Sequence, residues 1–579
     1  MRSVLRVRMG TPVAAKEELG AQYALLGGRA LTSALVAAEV PATCHPLSAD
    51  NKLVIAPGLL AGTTAPCSGR LSVGAKSPLT GTIKESNAGG AAAQAMARLG
   101  LAAIIVEGKP PKPDTPFVLV VAKDGARLAE APELKGLGNY DAVKLCRERY
   151  GPKVACITIG MAGEMRLAAA SVAVTDTDGH PTRHAGRGGL GAVMGSKGLK
   201  AIVLDPSGLD RPASADPAAF AAAAKRFAQA LAAHPVTGQT LPMYGTNALA
   251  NVINSAGAYP TRNFSAGTFE GVEAISGETE REVILARKGN PRHPCHVGCT
   301  IGCSSIYPHK DGSFLSKGPE YETVWAFGAD CGIADLDAIA HMDRACDDIG
   351  LDTIETGAAM AVAMEGGLLG FGDAAGVLRL LEEVRQGSAL GRTLGSGAAV
   401  TGKVFGVSRI PCVKGQAMPA YDPRAAKGIG VTYATSTMGA DHTAGYAIAQ
   451  NILGVGGSVN PLRPDGQAAL SAALQQATAA IDSTGLCLFV AFCVLDVPDA
   501  AQAIVDMLNA HCGTAWSPGD YVETLGKATL RVERGFNARA GFTAADDRLP
   551  DFFKAEPLAP HKTVFDVPES ELDSVHAGL

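Results

Sequence analysis

Short apolar runs closed by turn residues recur through the first third of the chain. They include KLVIAPG at 52–58, AAIIVEG at 102–108, PFVLVVAKDG at 116–125 and KAIVLD at 200–205. Runs of this length, bounded by Gly, Pro and Asp, are typical of β-strands. The pattern therefore predicts a strand-rich domain over residues 1–208.

The pattern changes to helical periodicity at Asp216-Pro217. The segment ADPAAFAAAAKRFAQALAAHP has an N-cap Asp, a Pro at the first helical position and an alanine-rich body. Further helical stretches follow at 323–350 and 468–482, and the Pro/Gly-rich segment 409–428 suggests one more boundary. We predict an α+β protein in which two mainly helical domains, 209–410 and 411–579, follow the strand-rich domain.

Composition narrows the classes of protein that this chain can belong to. The 579 residues are 47% hydrophobic and 18% charged, with 69 glycines, as in a globular protein with much tight backbone. A net charge of -5 leaves no broad basic surface, so we expect no nucleic-acid partner. The longest apolar run, Leu486–Leu495, is too short to span a bilayer, and the first residues lack the apolar core of a signal peptide. Thirteen cysteines without a disulfide-framework pattern favour a cytoplasmic location.

Three cysteines lie within nine residues in CHVGCTIGC, at Cys295, Cys299 and Cys303. The intervening glycines argue against a helix, so the thiols belong to a loop that wraps around something. Three close thiolates with one remote thiolate are a common arrangement for an iron–sulfur cluster. Zinc stays open as the alternative, because His293 and His296 are nearby.

A short motif, Asp-x-x-Gly-Leu, occurs twice after helix-like stretches, as DDIGLD at 347–352 and DSTGLC at 482–487. A glycine that ends a helix explains both copies without any function. The functional interpretation is that each Asp presents its carboxylate to N–H donors of a doubled ligand. In the second copy the last residue, Cys487, is then the candidate for the fourth cluster ligand.

The segment GRGGLG at 186–191 matches the dinucleotide-binding pattern, with Asp205 as a candidate ribose ligand. The polar TDTDGHPTRHA separates it from the preceding strand, and AVMGSKGLK is too short and glycine-broken for the helix that should follow. We therefore reject a nucleotide site here.

These motifs together resemble the tungsten-dependent aldehyde ferredoxin oxidoreductase family. The resemblance covers most of the chain. The segments that carry it, besides both Asp-x-x-Gly-Leu motifs, are LLGGRAL at 25–31, APCSGRLSVGAKSPLTGTIKESNAGG at 65–90, AGRGGLGAVMGSKGLKAI at 185–202, YPTRNF at 259–264 and GPEYETVWAFG at 318–328.

The resemblance implies a strand-rich domain that cradles tungsten, or molybdenum, held by the dithiolenes of two pterins, with one [4Fe-4S] cluster beside it. A magnesium ion between the pterin phosphates belongs to the same expectation. The cluster ligands become Cys295, Cys299, Cys303 and Cys487. The pterin and phosphate contacts become Arg70, Asn87, Gly89, Arg183, His184, Gly186, Arg187, Asp347, Leu351, Asp352, Asp482, Leu486 and Leu488.

The chemistry implied by the resemblance is oxidation of aldehydes to carboxylic acids, or the reverse, with electrons leaving through the cluster to ferredoxin or a small Fe–S subunit. Glu322 matches the proposed general base, with Glu320 as its nearest competitor, and His442 matches the proposed carbonyl partner. Tyr321 and Tyr421 are expected to line the pocket. Two alternatives are a related bis-pterin enzyme, such as one that reductively dearomatises an acyl-CoA, and a structural zinc protein that has lost the pterin.

The chain departs from the family pattern at three places. The first cysteine gap has three residues where the family commonly has two, and Ala444 stands where some members have a lysine. The Glu-x-x-His that holds a dimer-bridging iron in some members is missing, with His341 at the aligned position. A homodimer of this chain would therefore not depend on such an iron.

Overall fold

Two six-stranded sheets form the N-terminal part of the computed structural model, which describes residues 2–579. The first sheet has the order β2-β1-β6-β3-β4-β5 and the second β11-β10-β9-β12-β7-β8. Each sheet contains one parallel pair, β1 with β6 and β12 with β7, and its other pairs are antiparallel. The strands are β1 (Ser3–Arg8), β2 (Val13–Glu18), β3 (Leu53–Pro57), β4 (Leu71–Lys76), β5 (Ile83–Ala88), β6 (Leu101–Glu107), β7 (Phe117–Ala122), β8 (Gly125–Glu130), β9 (Ala155–Thr158), β10 (Val172–Val174), β11 (Arg183–Ala185) and β12 (Leu199–Leu204).

The two sheets share one apolar core. Side chains of β3 and β6 in the first sheet and of β7 and β12 in the second belong to the same buried cluster. Two short helices contribute to this core, and three others occur in the same part of the chain. These five helices are α1 (Gly28–Glu39), α2 (Ala92–Arg98), α3 (Asn139–Tyr150), α4 (Met161–Glu164) and α5 (Leu190–Ser196). The apolar runs predicted as strands are β3, β6, β7 and β12, so those predictions are confirmed.

The rest of the chain is mainly helical. Asp216 accepts hydrogen bonds from the backbone N–H groups of Ala218 and Ala219, at 3.1 and 3.0 Å, and so begins α6 as predicted. The helices are α6 (Pro217–Ala233), α7 (Leu241–Tyr244), α8 (Leu249–Ser255), α9 (Gly277–Ala286), α10 (Tyr321–Phe327), α11 (Leu336–Ile349), α12 (Thr353–Glu365), α13 (Ala374–Gln386), α14 (Ala389–Leu394), α15 (Ala398–Phe405), α16 (Lys427–Thr435), α17 (Ile448–Asn451), α18 (Gln467–Thr484), α19 (Val490–Asp496), α20 (Pro498–Cys512), α21 (Pro518–Tyr521), α22 (Ala528–Arg539), α23 (Phe552–Ala555) and α24 (Glu569–Ser574).

The stretch 323–350, which looks like one helical segment in the sequence, is two helices. Helix α10 ends at Phe327, and α11 begins after Asp335, whose carboxylate caps it by accepting from Asp337 and Ala338. Gly328 and the N-cap Asp335 interrupt the helix here, because an N-cap residue satisfies free N–H groups only at a helix start.

Two small sheets lie within the helical part. Strands β13 (Asn290–His293), β14 (Ser304–Pro308) and β15 (Phe314–Lys317) form one, and β16 (Cys412–Val413) with β17 (Gln416–Ala417) forms the other. The three clustered cysteines occupy the connection between β13 and β14, so they lie on a loop as predicted.

The α+β organisation expected from the sequence is confirmed. Buried residues on both sides of position 410, including Trp325 and Phe553, belong to one apolar cluster, so the helical segments share a core. The domain boundaries near 208 and 410 stay predictions. No helix within residues 2–579 is long and apolar enough to cross a membrane.

Candidate active site

A cavity of about 380 Å³ lies between the strand-rich part and the helical part. Of the predicted site residues, all but Leu486 and Cys299 line it. Those on its wall are Arg70, Asn87, Gly89, Arg183, His184, Gly186, Arg187, Glu322, Asp347, Leu351, Asp352, His442, Asp482, Leu488, Cys295, Cys303 and Cys487. Residues from nearly every part of the chain therefore meet at one place.

The two Asp-x-x-Gly-Leu motifs have the same local structure. Helix α11 ends before Gly350, which has φ +82°, and α18 ends before Gly485, which has φ +83°. The left-handed conformation favours glycine and lets the chain turn sharply at the end of each helix. This turn leaves Asp347 and Asp482, both in the last turn of their helices, on the cavity wall.

Each of these two aspartates is paired with a cation that we did not single out in the sequence. Lys317 Nζ lies 3.2 Å from the Asp347 carboxylate, and Arg29 Nη1 lies 3.3 Å from Asp482 Oδ2. Burial raises the pKa of Asp482 to about 6 in spite of Arg29. For Asp347, Lys317 and His184 outweigh burial and hold its pKa below the ordinary value. Arg29 lies in the LLGGRAL segment, one of those that carry the family resemblance, so the resemblance could have identified it as a site residue.

The pairing is doubled as well. Lys317 also binds Asp343 at 2.8 Å, and Arg29 also binds Glu533 at 2.9 Å. Each motif thus comes with one buried cation and one further carboxylate. The two halves of the cavity wall therefore have similar charge patterns, although they come from unrelated segments.

Two arginines and an asparagine present donors to the cavity. Arg183 has two nitrogens, Nε and Nη2, that are buried without a hydrogen-bond partner, and Nη1 lies 3.5 Å from Glu320. Arg70 Nε donates to Asn87 Oδ1, which leaves the Asn87 amide nitrogen buried without a partner. Buried donors of this kind are costly unless a ligand accepts from them, and guanidinium forks suit phosphate. These residues therefore fit the phosphate end of a pterin.

Arg187 and Asp352 are engaged with the protein instead. Arg187 donates to the backbone oxygens of Ala440 and Ala417, at 2.7 and 2.6 Å, and its Nε lies 3.3 Å from Asp352. Asp352 also caps α12. Both line the cavity, but most of their polar atoms already have partners.

The cysteines form a second group at one end of the cavity. Cys295, Cys303 and Cys487 line its wall, while Cys299 does not, although its sulfur lies within 4.8 Å of the ligand atoms of Cys295 and His296. Burial raises the pKa of the Cys303 thiol well above its usual value, and Glu320 and Cys487 raise it further. A bound cation reverses this preference and deprotonates the thiols, so the donor set fits an iron–sulfur cluster.

The two histidines that kept zinc open behave differently. His293 Nε2 lies 2.8 Å from Asp178, and His293 is not in the group of ligand atoms that Cys295 and Cys299 form. His296 is fully buried next to them, and its Nε2 has no hydrogen-bond partner.

Glu322 and His442 face each other across the cavity wall. Glu322 stands in the first turn of α10, and its Oε1 lies 3.4 Å from His442 Nε2. Its Oε2 accepts from the backbone N–H of Ala420 at 3.0 Å. Burial raises the pKa of Glu322 to about 8 and lowers the pKa of His442 to about 4. Near pH 7 the carboxyl group is therefore protonated and the imidazole is neutral.

Aromatic residues enclose this pair. Tyr321 and Tyr421 line the cavity as expected, and Tyr446 does so too, with its hydroxyl 2.8 Å from that of Tyr421. Glu320, the competitor of Glu322, also lines the cavity but has different partners. It accepts from the Thr246 hydroxyl at 2.7 Å and pairs with Arg183.

An ion pair below His442 was not visible in the sequence. Lys84 Nζ, from β5, lies 2.9 Å from Asp441 Oδ2, and Asp441 caps the short turn that carries His442. Although burial alone would raise it, Lys84 and Arg187 hold the pKa of Asp441 well below its ordinary value. Ala444, at the position where some family members have a lysine, also lines the cavity.

Comparison with known proteins agrees with this geometry. The family model for the aldehyde ferredoxin oxidoreductase N-terminal domain matches residues 4–206, and the model for domains 2 and 3 matches residues 222–575. A tungsten-containing aldehyde ferredoxin oxidoreductase from Thermococcus kodakarensis is 37% identical over 574 residues, covering 96% of this chain and 91% of the relative. The protein of the same description from Pyrococcus furiosus is 37% identical over 560 residues, covering 94% and 89%.

A solved structure described as the active site complex BamBC of benzoyl coenzyme A reductase, in complex with 1,5-dienoyl-CoA, shares the fold with a TM-score of 0.81. The match covers 100% of this chain and 94% of that one at 20% sequence identity. The two family models together span nearly the whole sequence, and the relatives are more than a third identical to it. The chain therefore belongs to the aldehyde ferredoxin oxidoreductase family.

Proposed function

We propose that the protein oxidises aldehydes to carboxylic acids, or catalyses the reverse reduction, at a tungsten or molybdenum bis-pterin centre beside a [4Fe-4S] cluster. The observation that carries this proposal is the pairing of Glu322 with His442, 3.4 Å apart, on the wall of a cavity that three cysteines also line. Identities of 36–37% to four tungsten-containing aldehyde ferredoxin oxidoreductases support the same reaction.

The bound metal would supply the redox chemistry by taking up the two electrons that aldehyde oxidation releases. Asn87 and Arg183 would hold the pterin phosphates through donors that otherwise lack partners, with Arg70 beside them on the cavity wall. Asp347 and Asp482, one from each doubled motif, would accept from the pterin N–H groups. A magnesium ion between the phosphates would add positive charge where several negative groups meet.

The protein's own part in the reaction is proton transfer and orientation. Conversion of an aldehyde to an acid consumes water and releases two protons, so a base must stand at the carbonyl carbon. The ionised Glu322 accepts the proton of the attacking water, and its raised pKa makes the carboxyl an effective acid in the reverse direction. His442 Nε2 faces Glu322, and Nδ1 is buried without a partner. In the neutral tautomer that carries its proton on Nδ1, His442 would donate to the carbonyl oxygen, and Nε2 would accept from Glu322 once that carboxyl has taken up the proton of the water.

Electrons would leave through the thiol group at the end of the cavity. Cys487 lies five positions after Asp482, so the pterin-binding turn and the remote cluster ligand are close in the chain. From there we propose transfer to ferredoxin or a small Fe–S subunit. We also propose a cytoplasmic location, because thirteen cysteines, many of them buried free thiols, suit a reducing compartment.

The test is anaerobic purification after expression with tungstate or molybdate, followed by metal analysis and a panel of aldehydes with a viologen dye. We expect metal, iron and dye reduction with at least one aldehyde. A protein that contains metal and iron but reduces the dye with no aldehyde would overturn the proposed reaction. Activity toward an aromatic acyl-CoA in that case would favour the dearomatising alternative, which the shared fold with the benzoyl-CoA reductase complex makes worth including.

A further inference from the structure

A fifth cysteine, Cys67, lies among the four candidate cluster ligands. It is fully buried, in the connection between β3 and β4, and its backbone has a left-handed φ of +58°. Its N–H donates to the Gly298 carbonyl at 2.9 Å, and its own carbonyl accepts from the Cys487 N–H at 2.9 Å. Cys67 therefore joins the cysteine loop to the segment of the remote cysteine.

The side chain of Cys67 points toward the same place. Its sulfur lies 3.4 Å from the hydroxyl oxygen of Thr300, the residue that follows Cys299 in the loop. Cys67 and Cys487 belong to one packed apolar cluster, with Cys299 and Cys303 against it. A buried thiol in an apolar cluster needs no function, but this one faces other thiols rather than only hydrocarbon.

Cys299 is the candidate ligand that fits the cavity least well. Like Cys303 it is partly exposed, and like Cys67 it does not line the cavity, whereas Cys295, Cys303 and Cys487 do. The three-residue gap after Cys295 places it one residue further along the loop than in the common family spacing. Cys67 is more deeply buried than Cys299.

An independent observation also indicates that this corner holds a metal. The imidazole of His296 is fully buried, and its Nε2 has no hydrogen-bond partner. The ligand atoms of Cys295, His296 and Cys299 lie within 4.8 Å of one another. Donors therefore outnumber the four thiolates that a [4Fe-4S] cluster takes.

We propose that Cys67 is an alternative thiolate ligand of the cluster, which takes the place of Cys299 on one iron. The inference rests on the proposed function, because it presupposes the cluster. The exchange breaks one iron–sulfur bond and forms another. The proton of the Cys67 thiol passes to the released Cys299 sulfur, so no electrons are transferred and no oxidant is needed.

The experiment compares Cys299→Ala, Cys67→Ala and the double variant with the parent, using alanine because serine oxygen can itself bind iron. Iron and acid-labile sulfide are measured per chain after anaerobic purification, and EPR spectra are recorded after dithionite reduction. Cys493→Ala, a buried thiol in the same apolar cluster but outside the ligand group, serves as the control. Cys487→Ala shows the effect of losing a ligand that has no substitute.

Each single variant at position 67 or 299 should keep about four irons and a reduced-cluster EPR signal, whereas the double variant should lose at least one iron, as Cys487→Ala does. If Cys299→Ala alone loses iron to the same extent as Cys487→Ala, the proposal is wrong. A parent without iron would instead contradict the cluster itself and hence the proposed function.

The double alanine variant requires a folding check by thermal unfolding. If it does not fold, Cys299→Ala combined with Cys67→Ser keeps the side-chain size and the contact with Thr300. That variant should show altered g values or a three-iron signal, since oxygen or no ligand then replaces sulfur. An EPR signal identical to that of Cys299→Ala would overturn the proposal.

Discussion

Glu322→Gln is the substitution that tests the proposed chemistry most directly. The amide has the same shape as the acid and still offers an oxygen to the Ala420 N–H, which lies 3.0 Å from Glu322 Oε2. It cannot accept or release the catalytic proton. We therefore expect metal, iron and substrate binding to be retained while turnover falls.

The expected loss is roughly a hundredfold to ten-thousandfold in kcat, the usual contribution of general acid–base catalysis. The structure also predicts a pH dependence. Burial raises the pKa of Glu322 from 4.5 to about 8, so aldehyde oxidation by the parent should rise with pH and level off above about 8, where the base is ionised. The variant should lack this ionisation.

The free energy of unfolding provides a second measurement, because loss of catalysis alone would not change how it depends on pH. The folded protein keeps the Glu322 proton up to about pH 8, whereas the unfolded chain releases it near 4.5. The contribution of this group is fully present below pH 4.5 and is lost as the pH rises through 8, by up to ~5 kcal/mol. The difference in unfolding temperature between Glu322→Gln and the parent should therefore shift in favour of the variant between pH 5 and pH 9.

The assay is anaerobic dye reduction with an aldehyde that the parent oxidises well, at pH values from 6 to 9. Glu320→Gln is the matched control, because its side chain faces Thr246 and Arg183 rather than His442, and it should retain most of the activity. Near-parental turnover in Glu322→Gln would refute the assignment. An inactive Glu320→Gln beside an active Glu322→Gln would identify the other glutamate as the base.

Three further predictions concern the cofactor sites and the support of His442. Cys487→Ala should lower iron per chain and also the unfolding temperature, because Cys487 joins the C-terminal segment to the cluster; an unchanged four-iron EPR signal would contradict this. Asp482→Ala should lower the amount of bound tungsten or molybdenum, because each ligand donor left unpaired costs about 1–3 kcal/mol of binding free energy. Arg29 stays paired with Glu533, which maintains the fold. Full metal occupancy by elemental analysis would exclude Asp482 as a pterin contact. Lys84→Met should destabilise the protein by about 3–5 kcal/mol, because the buried Asp441 loses its partner. Adding Asp441→Asn should recover much of the lost stability in thermal unfolding at pH 7. If it does not, the broken ion pair is not the cause of the destabilisation.

Much of the fold could be predicted because its signals are local. An apolar run such as 102–108 is short and bounded by turn residues, and Asp216-Pro217 carries its own helix start, so neither depends on distant contacts. The same holds for Gly350 and Gly485, which end two helices in the left-handed conformation that glycine adopts at least cost. The stretch 323–350 was less predictable, because its periodicity continues across the break that Gly328 and Asp335 introduce.

The candidate site depended on the sequence in a different way. Its residue types and the cysteine spacing, together with the family resemblance, were enough to name a set of site residues of which all but Leu486 and Cys299 line the cavity. They could not show that Arg187 donates its hydrogen bonds to backbone oxygens, or that Cys299 does not line the cavity. Such facts depend on where side chains from separate segments meet.

The sequence alone therefore determined the elements, the loop that carries the thiols and the turn that repeats twice. Only the tertiary structure decided which of the chemically active residues are neighbours. Glu322 and His442 are far apart in the chain, as are Lys84 and Asp441 and the cysteines at 67 and 299, and no local pattern links them. The pKa values of Glu322, His442 and Asp441 also follow from the tertiary structure, since desolvation and the nearest charges shift them, and both arise only when the strand-rich and helical parts close around the cavity.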